Sequence, residues 1–419
     1  MRGLSLRKDY QVATLATTLV AIGPLTMSMY TPSMPSLTST LNTTSSLVQL
    51  TLTIYMVAFA IAQLVYGPIA DRYGRRPVLI GGMLVFVAGS AMAAMSATIE
   101  QLLIARFVQA LGACAAPVVA RALIRDLYEG TKAARMLSLV AMAMTIAPAV
   151  GPLVGGYMTV HIGWASVFVL LMVIGIINAG IGLTIMPETL KPQYKTELRF
   201  RPILNRYGNL LSSQIFLGYV AALSCGLGGM LAFAAIGPFI FINIIGMTPS
   251  EYGWTLVVTT TAYFIGSLTA NRLVGRAGID RMIMLGGGLI VAGGLGLSIT
   301  VFADLVSVIS ILGSMTLWLI GMGLILPNAM AGAISPYPHM AGQASSLIGF
   351  MQMGTGALGS AGISLIGGET ALAAGIVPIA MAVLGIGTYV ILVGRHRWRD
   401  HRRALGPADD HPLTGSEQG

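Results

Sequence analysis

The amino-acid sequence predicts an all-α membrane protein, with twelve transmembrane helices in two pseudo-symmetric bundles of six. Three observations carry that prediction. Of the 419 residues, 55% are hydrophobic and only 9% are charged, and the mean hydropathy is +0.80. Soluble domains carry about 25% charged residues, so a soluble enzyme, a nucleic-acid binder and a disordered scaffold all fit poorly. The apolar residues also fall into uninterrupted runs near the roughly 20 residues a helix needs to cross the hydrocarbon core. Finally, one polar interval near the middle of the chain separates six such runs from six more.

The first run, 11–34, follows Arg2, Arg7 and Lys8 and so resembles a signal peptide. It is too long for one and ends in Met-Tyr-Thr-Pro-Ser-Met-Pro with no small-residue cleavage site, so it reads as a retained helix. Runs at 47–69, 78–97, 101–122, 135–159 and 164–186 complete an N-terminal bundle over 1–186. Residues 187–210 read as a central loop with charges of both signs, among them Glu188, Lys191, Lys195, Glu197 and Arg199. Runs at 211–240, 252–272, 282–302, 305–328, 342–366 and 370–394 form a second bundle over 211–394. The remainder, 395–419, reads as a disordered tail.

The basic residues set the orientation. Of the 24 Lys and Arg, 23 fall at the N-terminus, in alternate loops and in the tail, all on one side of the predicted spans. The opposite loops carry Glu100, Glu251, Asp304 and Glu369 and no cation. By the positive-inside rule the basic side is the cytoplasm, with both termini. The net charge of +9 is therefore a topology signal, with the lipid bilayer as the partner and no nucleic acid.

The two halves echo each other. Gly74-Arg75-Arg76 before Gly81-Gly82 parallels Gly278-Ile279-Asp280-Arg281 before Gly286-Gly287. Pro32 pairs with Pro238, Pro117 with Pro327 and Gly151 with Gly359, at offsets of about half the chain. Duplication of this kind is a mark of secondary transporters, whose site lies between the repeats. Cys114 and Cys225 lie inside apolar runs, and the five histidines stand singly, so neither a disulfide framework nor a metal site is predicted.

The strongest local signal joins the second and third spans: Gly67-Pro-Ile-Ala-Asp71-Arg72-Tyr73-Gly74-Arg75-Arg76. Glycine permits a tight turn, and Asp71 lies among cations that would otherwise repel one another. A charged loop obeying the positive-inside rule accounts for the arginines, but not for Asp71 and Gly74 at these spacings. This segment resembles the loop signature of the major facilitator superfamily. Arg106-Phe-Val-Gln109-Ala-Leu-Gly112 is similar to that family's motif in its fourth span, and Gly151-Pro152-Leu-Val-Gly155-Gly156 to the antiporter motif in its fifth. In the latter, Met142 stands where a further glycine is usual. Pro187-Glu188-Thr189 is similar to a common closing tripeptide. Met29-Tyr30-Thr31-Pro32 in the first span resembles the bicyclomycin/chloramphenicol-resistance branch of drug:proton antiporters.

The resemblance implies a major facilitator fold in a bacterial plasma membrane, acting as a monomer, without cofactor and driven by a proton gradient. It implies that Gly67, Asp71, Arg72, Gly74, Arg75 and Arg76 form a cytoplasmic gate latch with Asp126. It also implies that Gly151, Pro152, Gly155 and Gly156 mark an exporter, although a GxxxG face also serves plain helix packing.

Arg106 is the one basic residue outside the cytoplasmic set. It lies about 8 Å inside the outer end of its span at 1.5 Å per residue. Charge in the hydrocarbon costs at least about 2.5–3.5 kcal/mol, so Arg106 either faces the protein interior or snorkels to the interface. The resembling branch has an acid at position 28, where this chain has Ser28, and no Asp or Glu lies within 11–34. Small neutral or anionic substrates are therefore expected rather than cations, and an aspartate at position 28 is expected to gain cation export. Glu100, Asp71 and Asp126 are left as candidates for proton coupling. Polarity at midspan adds Tyr30, Gln49, Tyr55, Gln109, Tyr263, Asn328 and Gln352 to Ser28 and Arg106 as cavity candidates. The reading is a multidrug or antibiotic exporter, not an enzyme; a solute importer or facilitator of the same fold is the alternative.

Overall fold

Hydroxyl side chains start five of the helices: Thr44, Thr98, Ser213, Thr248 and Ser307 each accept the backbone N–H three residues on. The computed structural model describes residues 2–128, 130–190, 200–367 and 370–404, and these form fourteen α-helices. Helix α1 (Arg2–Ser28) passes through a 3-10 turn at Thr31–Ser33 into the short α2 (Met34–Thr40). Next come α3 (Ser45–Tyr73), α4 (Arg75–Ala94), α5 (Ile99–Leu127), α6 (Gly130–His161) and α7 (Ala165–Thr184). After α8 (Phe200–Leu211) follow α9 (Gln214–Pro238), α10 (Pro249–Ala277), α11 (Ile279–Phe302), α12 (Val308–Ile334), α13 (Ala341–Gly367) and α14 (Leu372–Ala404).

Ten segments among the described residues are long and apolar enough to cross a membrane. α10 and α13 are as long but fall outside that set. They are rich in Thr, Ser, Gly and Gln, and both lie where the two halves of the molecule meet. The chain is a multi-pass membrane protein.

Several boundaries differ from those read off the apolar runs, because helices continue into charged interfacial residues that a search for apolar residues excludes. α1 begins at Arg2 rather than 11 and so takes Asp9 into the helix. The last helix runs to Ala404 through what reads as a tail from 395; nothing between them breaks a helix until Gly406-Pro407. Residues 405–419, like 191–199 of the central loop, lie outside the described residues. The end of that loop is the helix α8, which buries Tyr207 and Leu210 and exposes Leu204 and Leu211. Its apolar residues repeat at helical spacing, and Pro202 sits in the first turn, where its missing N–H costs nothing.

Two hydrophobic cores form. One draws its residues from 15–186 together with Phe239, the other from 207–393. A small third cluster joins them, with Leu52 and Met56 of α3 against Leu231 and Ala235 of α9 and Ala357 of α13. The halves meet along two seams, α3 on α13 and α6 on α10. Gly74 (φ +107°) and Gly278 (φ +80°) each separate two consecutive helices by one residue, at matching places in the two halves. This left-handed region is open to glycine at little cost, which explains the residue choice at both turns. Past Pro238, α9 loosens into a π turn over Phe239–Ile244. We call the end that carries Gly74 and Gly278 the basic end, and the end near Glu100 and Glu251 the acidic end.

Candidate functional site

Arg106 is fully buried, one of the largest side chains that is. Its guanidinium lies over Tyr30 (4.6 Å to the ring centroid), Tyr55 (4.3 Å) and Phe168 (5.9 Å). Nη1 donates to Gln109 Oε1 at 2.6 Å, and Gln109 Nε2 donates to Ser90 Oγ at 2.9 Å. The Tyr30 and Thr51 hydroxyls bond at 2.7 Å. Nε and Nη2 of Arg106 have no hydrogen-bond partner, and no carboxylate pairs with it among the described residues. The ring faces offset part of the charge, roughly 0.5–2 kcal/mol each, and the rest stays uncompensated. Arginine does not shed its proton in proteins. The site is thus a fixed positive charge in an aromatic enclosure, with two donors to spare.

Of the sequence candidates, Tyr30, Tyr55, Arg106 and Gln109 gather here. Ser28 does not. Its Oγ lies 3.4 Å from the Ala147 carbonyl of α6 and 3.5 Å from Leu25 O, so an aspartate at 28 would meet a carbonyl rather than the guanidinium. Gly151 packs against Ser28, Gly155 against the Met29 backbone and Gly156 against Pro249 of α10. Pro152 O faces Gly253 of α10. The GPxxGG segment therefore clamps α6 between the end of α1 and α10. Gln49, fully buried in α3, accepts from Ser364 of α13 at 3.5 Å and belongs to the seam.

Tyr263 is half-buried, and its backbone packs on Gly323; Asn328 is buried and donates to Leu324 O at 2.7 Å; Gln352 is half-buried in α13. None of these three contacts the Arg106 group in this conformation, and Asn328 satisfies its own helix.

A second constellation lies at the basic end. Arg75, 4% exposed, donates from Nη1 to Asp71 Oδ1 at 2.6 Å and from Nε to Asp126 Oδ2 at 3.1 Å. It ties the ends of α3, α4 and α5 together. Arg76 donates to the carbonyls of Gly182 (3.2 Å) and Leu183 (2.5 Å) of α7, and Arg72 lies over the Tyr73 ring. Gly67 faces Ser346 of α13 across the seam.

The Pro187-Glu188-Thr189 tripeptide completes this group. Glu188 accepts the backbone N–H of Arg75 (3.0 Å), Arg76 (3.2 Å) and Leu190 (2.9 Å), and so caps α4 from outside that helix. Thr189 donates to Asp126 Oδ2 at 2.9 Å. A side chain at Gly74 would strike the Glu188 carboxylate, a second reason for glycine there. Phe168 had no sequence signal, since aromatics in apolar runs are commonplace.

A family model described as Major Facilitator Superfamily matches residues 16–360. The chain is 32% identical to a chloramphenicol resistance protein of Pseudomonas aeruginosa, over 90% of each chain. It is 28% identical to a bicyclomycin resistance protein homolog of Haemophilus influenzae, over 90% of this chain and 95% of that one. It is 29% identical to multidrug resistance protein D of Escherichia coli, over 84% and 89%. Among solved structures, a D-xylose–proton symporter superposes with a TM-score of 0.73 at 13% identity, over 91% of this chain and 97% of that one. A bacterial homolog of the lysosomal transporter Spinster, inward-facing, superposes at 0.68 and 13% identity, over 96% and 99%. These two show the fold alone. The chain belongs to the major facilitator superfamily of transporters, in the drug:proton antiporter branch that holds the bicyclomycin- and chloramphenicol-resistance proteins.

Proposed function

We propose that the chain is an efflux transporter of a bacterial plasma membrane, exporting small amphipathic compounds, antibiotics among them, by alternating access and drawing on the proton gradient. The basic end is the cytoplasmic one and the protomer acts alone. Substrates are neutral or anionic rather than cationic. One observation carries the charge preference: Arg106 is fully buried with two free donors and no carboxylate beside it among the described residues. A lipophilic cation would be repelled there, whereas a carbonyl, nitro or carboxylate oxygen would satisfy the free N–H groups. Export is supported by the names of the relatives and by the GPxxGG clamp between α1, α6 and α10. The Asp71–Arg75–Asp126 group serves as a latch on the cytoplasmic side, holding three helix ends in one state and releasing them in the other.

The alternative, a solute importer or facilitator, draws on the absence of an acid from 11–34. Expression in a pump-deficient host separates the two. Export predicts raised resistance to neutral and acidic antibiotics, abolished by an uncoupler, with no change for lipophilic cations. Unchanged susceptibility together with uncoupler-insensitive solute uptake would establish the importer instead.

A further inference from the structure

α5 carries three arginines. Arg106 lies near the acidic end, Arg121 and Arg125 near the basic end, and all three fall within about 100° of one another at 3.6 residues per turn. Gly112 precedes Arg121 by nine residues, about 180° around the helix, and packs against Gly82 and Phe86 of α4. The arginine face therefore points away from α4. Arg125 marks what it faces, because a side-chain carbon on Gly342 of α13 would sit 3.2 Å from Arg125 Nη1. Arg121 lies one turn deeper on the same face of α5.

These two cations have no acidic partner among the described residues. Asp71 and Asp126 are both held by Arg75, Glu188 is occupied by three backbone N–H groups, and Asp280 accepts from Tyr219 and Tyr389. The carboxylates nearest in the fold are thus already engaged. The positive-inside rule would account for Arg125, which is exposed at the helix end. It accounts less well for Arg121, whose Nε donates at 3.1 Å to Pro117 O, back toward the middle of the membrane rather than out to the interface.

We propose that Arg121 and Arg125 form a receiving site for an organic monoanion at the cytoplasmic mouth of the seam. Arg106 is the deeper site on the same helix face, and the inside-negative membrane potential drives the anion outward. This rests on the export reading above and specifies its substrate class and driving force. A cationic mouth concentrates anions from the cytoplasm, and the aromatic enclosure of Arg106 suits a carboxylate on an apolar body. A monoanion carried out without a proton moves one negative charge down the electrical part of the proton gradient. Such export needs no titrating acid, which removes the difficulty posed by Ser28.

The test uses full-length protein in vesicles loaded with radiolabelled salicylate at equal pH on both sides, with protein-free vesicles as baseline. A potassium gradient with valinomycin sets the potential, and chloramphenicol and tetraphenylphosphonium serve as neutral and cationic probes. We expect an inside-negative potential to speed salicylate efflux at least tenfold. The double variant Arg121→Gln/Arg125→Gln is expected to raise the salicylate KM at least tenfold at an unchanged melting temperature, with Arg121→Lys/Arg125→Lys near wild type. Salicylate efflux indifferent to potential, or an unchanged KM in the double glutamine variant, overturns the proposal. Chloramphenicol efflux without salicylate efflux overturns it while leaving export standing. Movement of no probe, with unaltered susceptibility of expressing cells, sinks both.

Discussion

Replacing Glu188 by alanine tests whether a carboxylate just outside α7 governs the latch three helices away. The substitution strips three backbone N–H groups of their acceptor, at Arg75, Arg76 and Leu190. Glu188 is exposed, so water takes over part of that role, and the loss is that of a helix N-cap, about 1 kcal/mol within a range of roughly 0.5–2. The free energy falls on the turn that aims Arg75 at Asp71 and Asp126. At 1.4 kcal/mol per tenfold, the ratio of latched to unlatched protein should fall by about fivefold. α3 and α5, which the latch holds, meet α13 through Gly67 and Arg125. Parting of the seam can therefore be read by alkylation of a cysteine placed at Ser346, since Cys114 and Cys225 are buried. The expected outcome is an about fivefold faster alkylation in Glu188→Ala, with Glu188→Gln intermediate because its amide oxygen still accepts. An unchanged rate in the alanine variant, at unchanged expression, would refute the reasoning.

Arg106→Leu removes an uncompensated buried charge, and apolar replacement of buried charge is often neutral or stabilising by about 1–4 kcal/mol. We therefore expect an equal or higher melting temperature together with lost transport, and a marked drop in melting temperature would contradict the account of an unpaired cation. Arg75→Leu should behave oppositely, because Asp71 and Asp126 would be left facing each other without their shared donor. Thermal unfolding at high and low salt would show the destabilisation, larger at low salt. Gly155→Val drives a side chain into the Met29 backbone; we expect a loss on the order of 1–3 kcal/mol from overpacking, visible as reduced yield and a lower melting temperature. Gly349→Leu displaces Gln63 across the α3–α13 seam, and it should increase alkylation at Ser346→Cys while sparing the Arg106 group.

How much of this was legible in the sequence depends on the range of the physics involved. Apolar runs and the placement of arginines act locally, and they located the helices to within a few residues at most ends. They failed where a helix outlasts its apolar stretch, as at Asp9 and beyond Gly394, because backbone hydrogen bonding along a helix does not need apolar side chains. The Arg75 group was legible because Asp71, Gly74 and Arg75 lie within five residues of one another. Its completion by Glu188 was not, since that contact spans more than a hundred residues. The direction in which Ser28 points was not legible either. Depth fixes only one coordinate, and the rotation of α1 turns Ser28 toward α6 instead.

The α3–α13 seam is held by hydroxyls and glycines: Thr53 donates to Ser360 at 2.7 Å, Ser46 to Ser364 O at 3.2 Å, and Gly349 receives Gln63. Interhelical hydrogen bonds of this sort average about 0.6 kcal/mol in membranes, close to the thermal energy. Weak bonds and small residues of this kind let such a surface behave as a plain bearing rather than a gear. Wear on it would appear first as a change in turnover, long before the protein lost its shape.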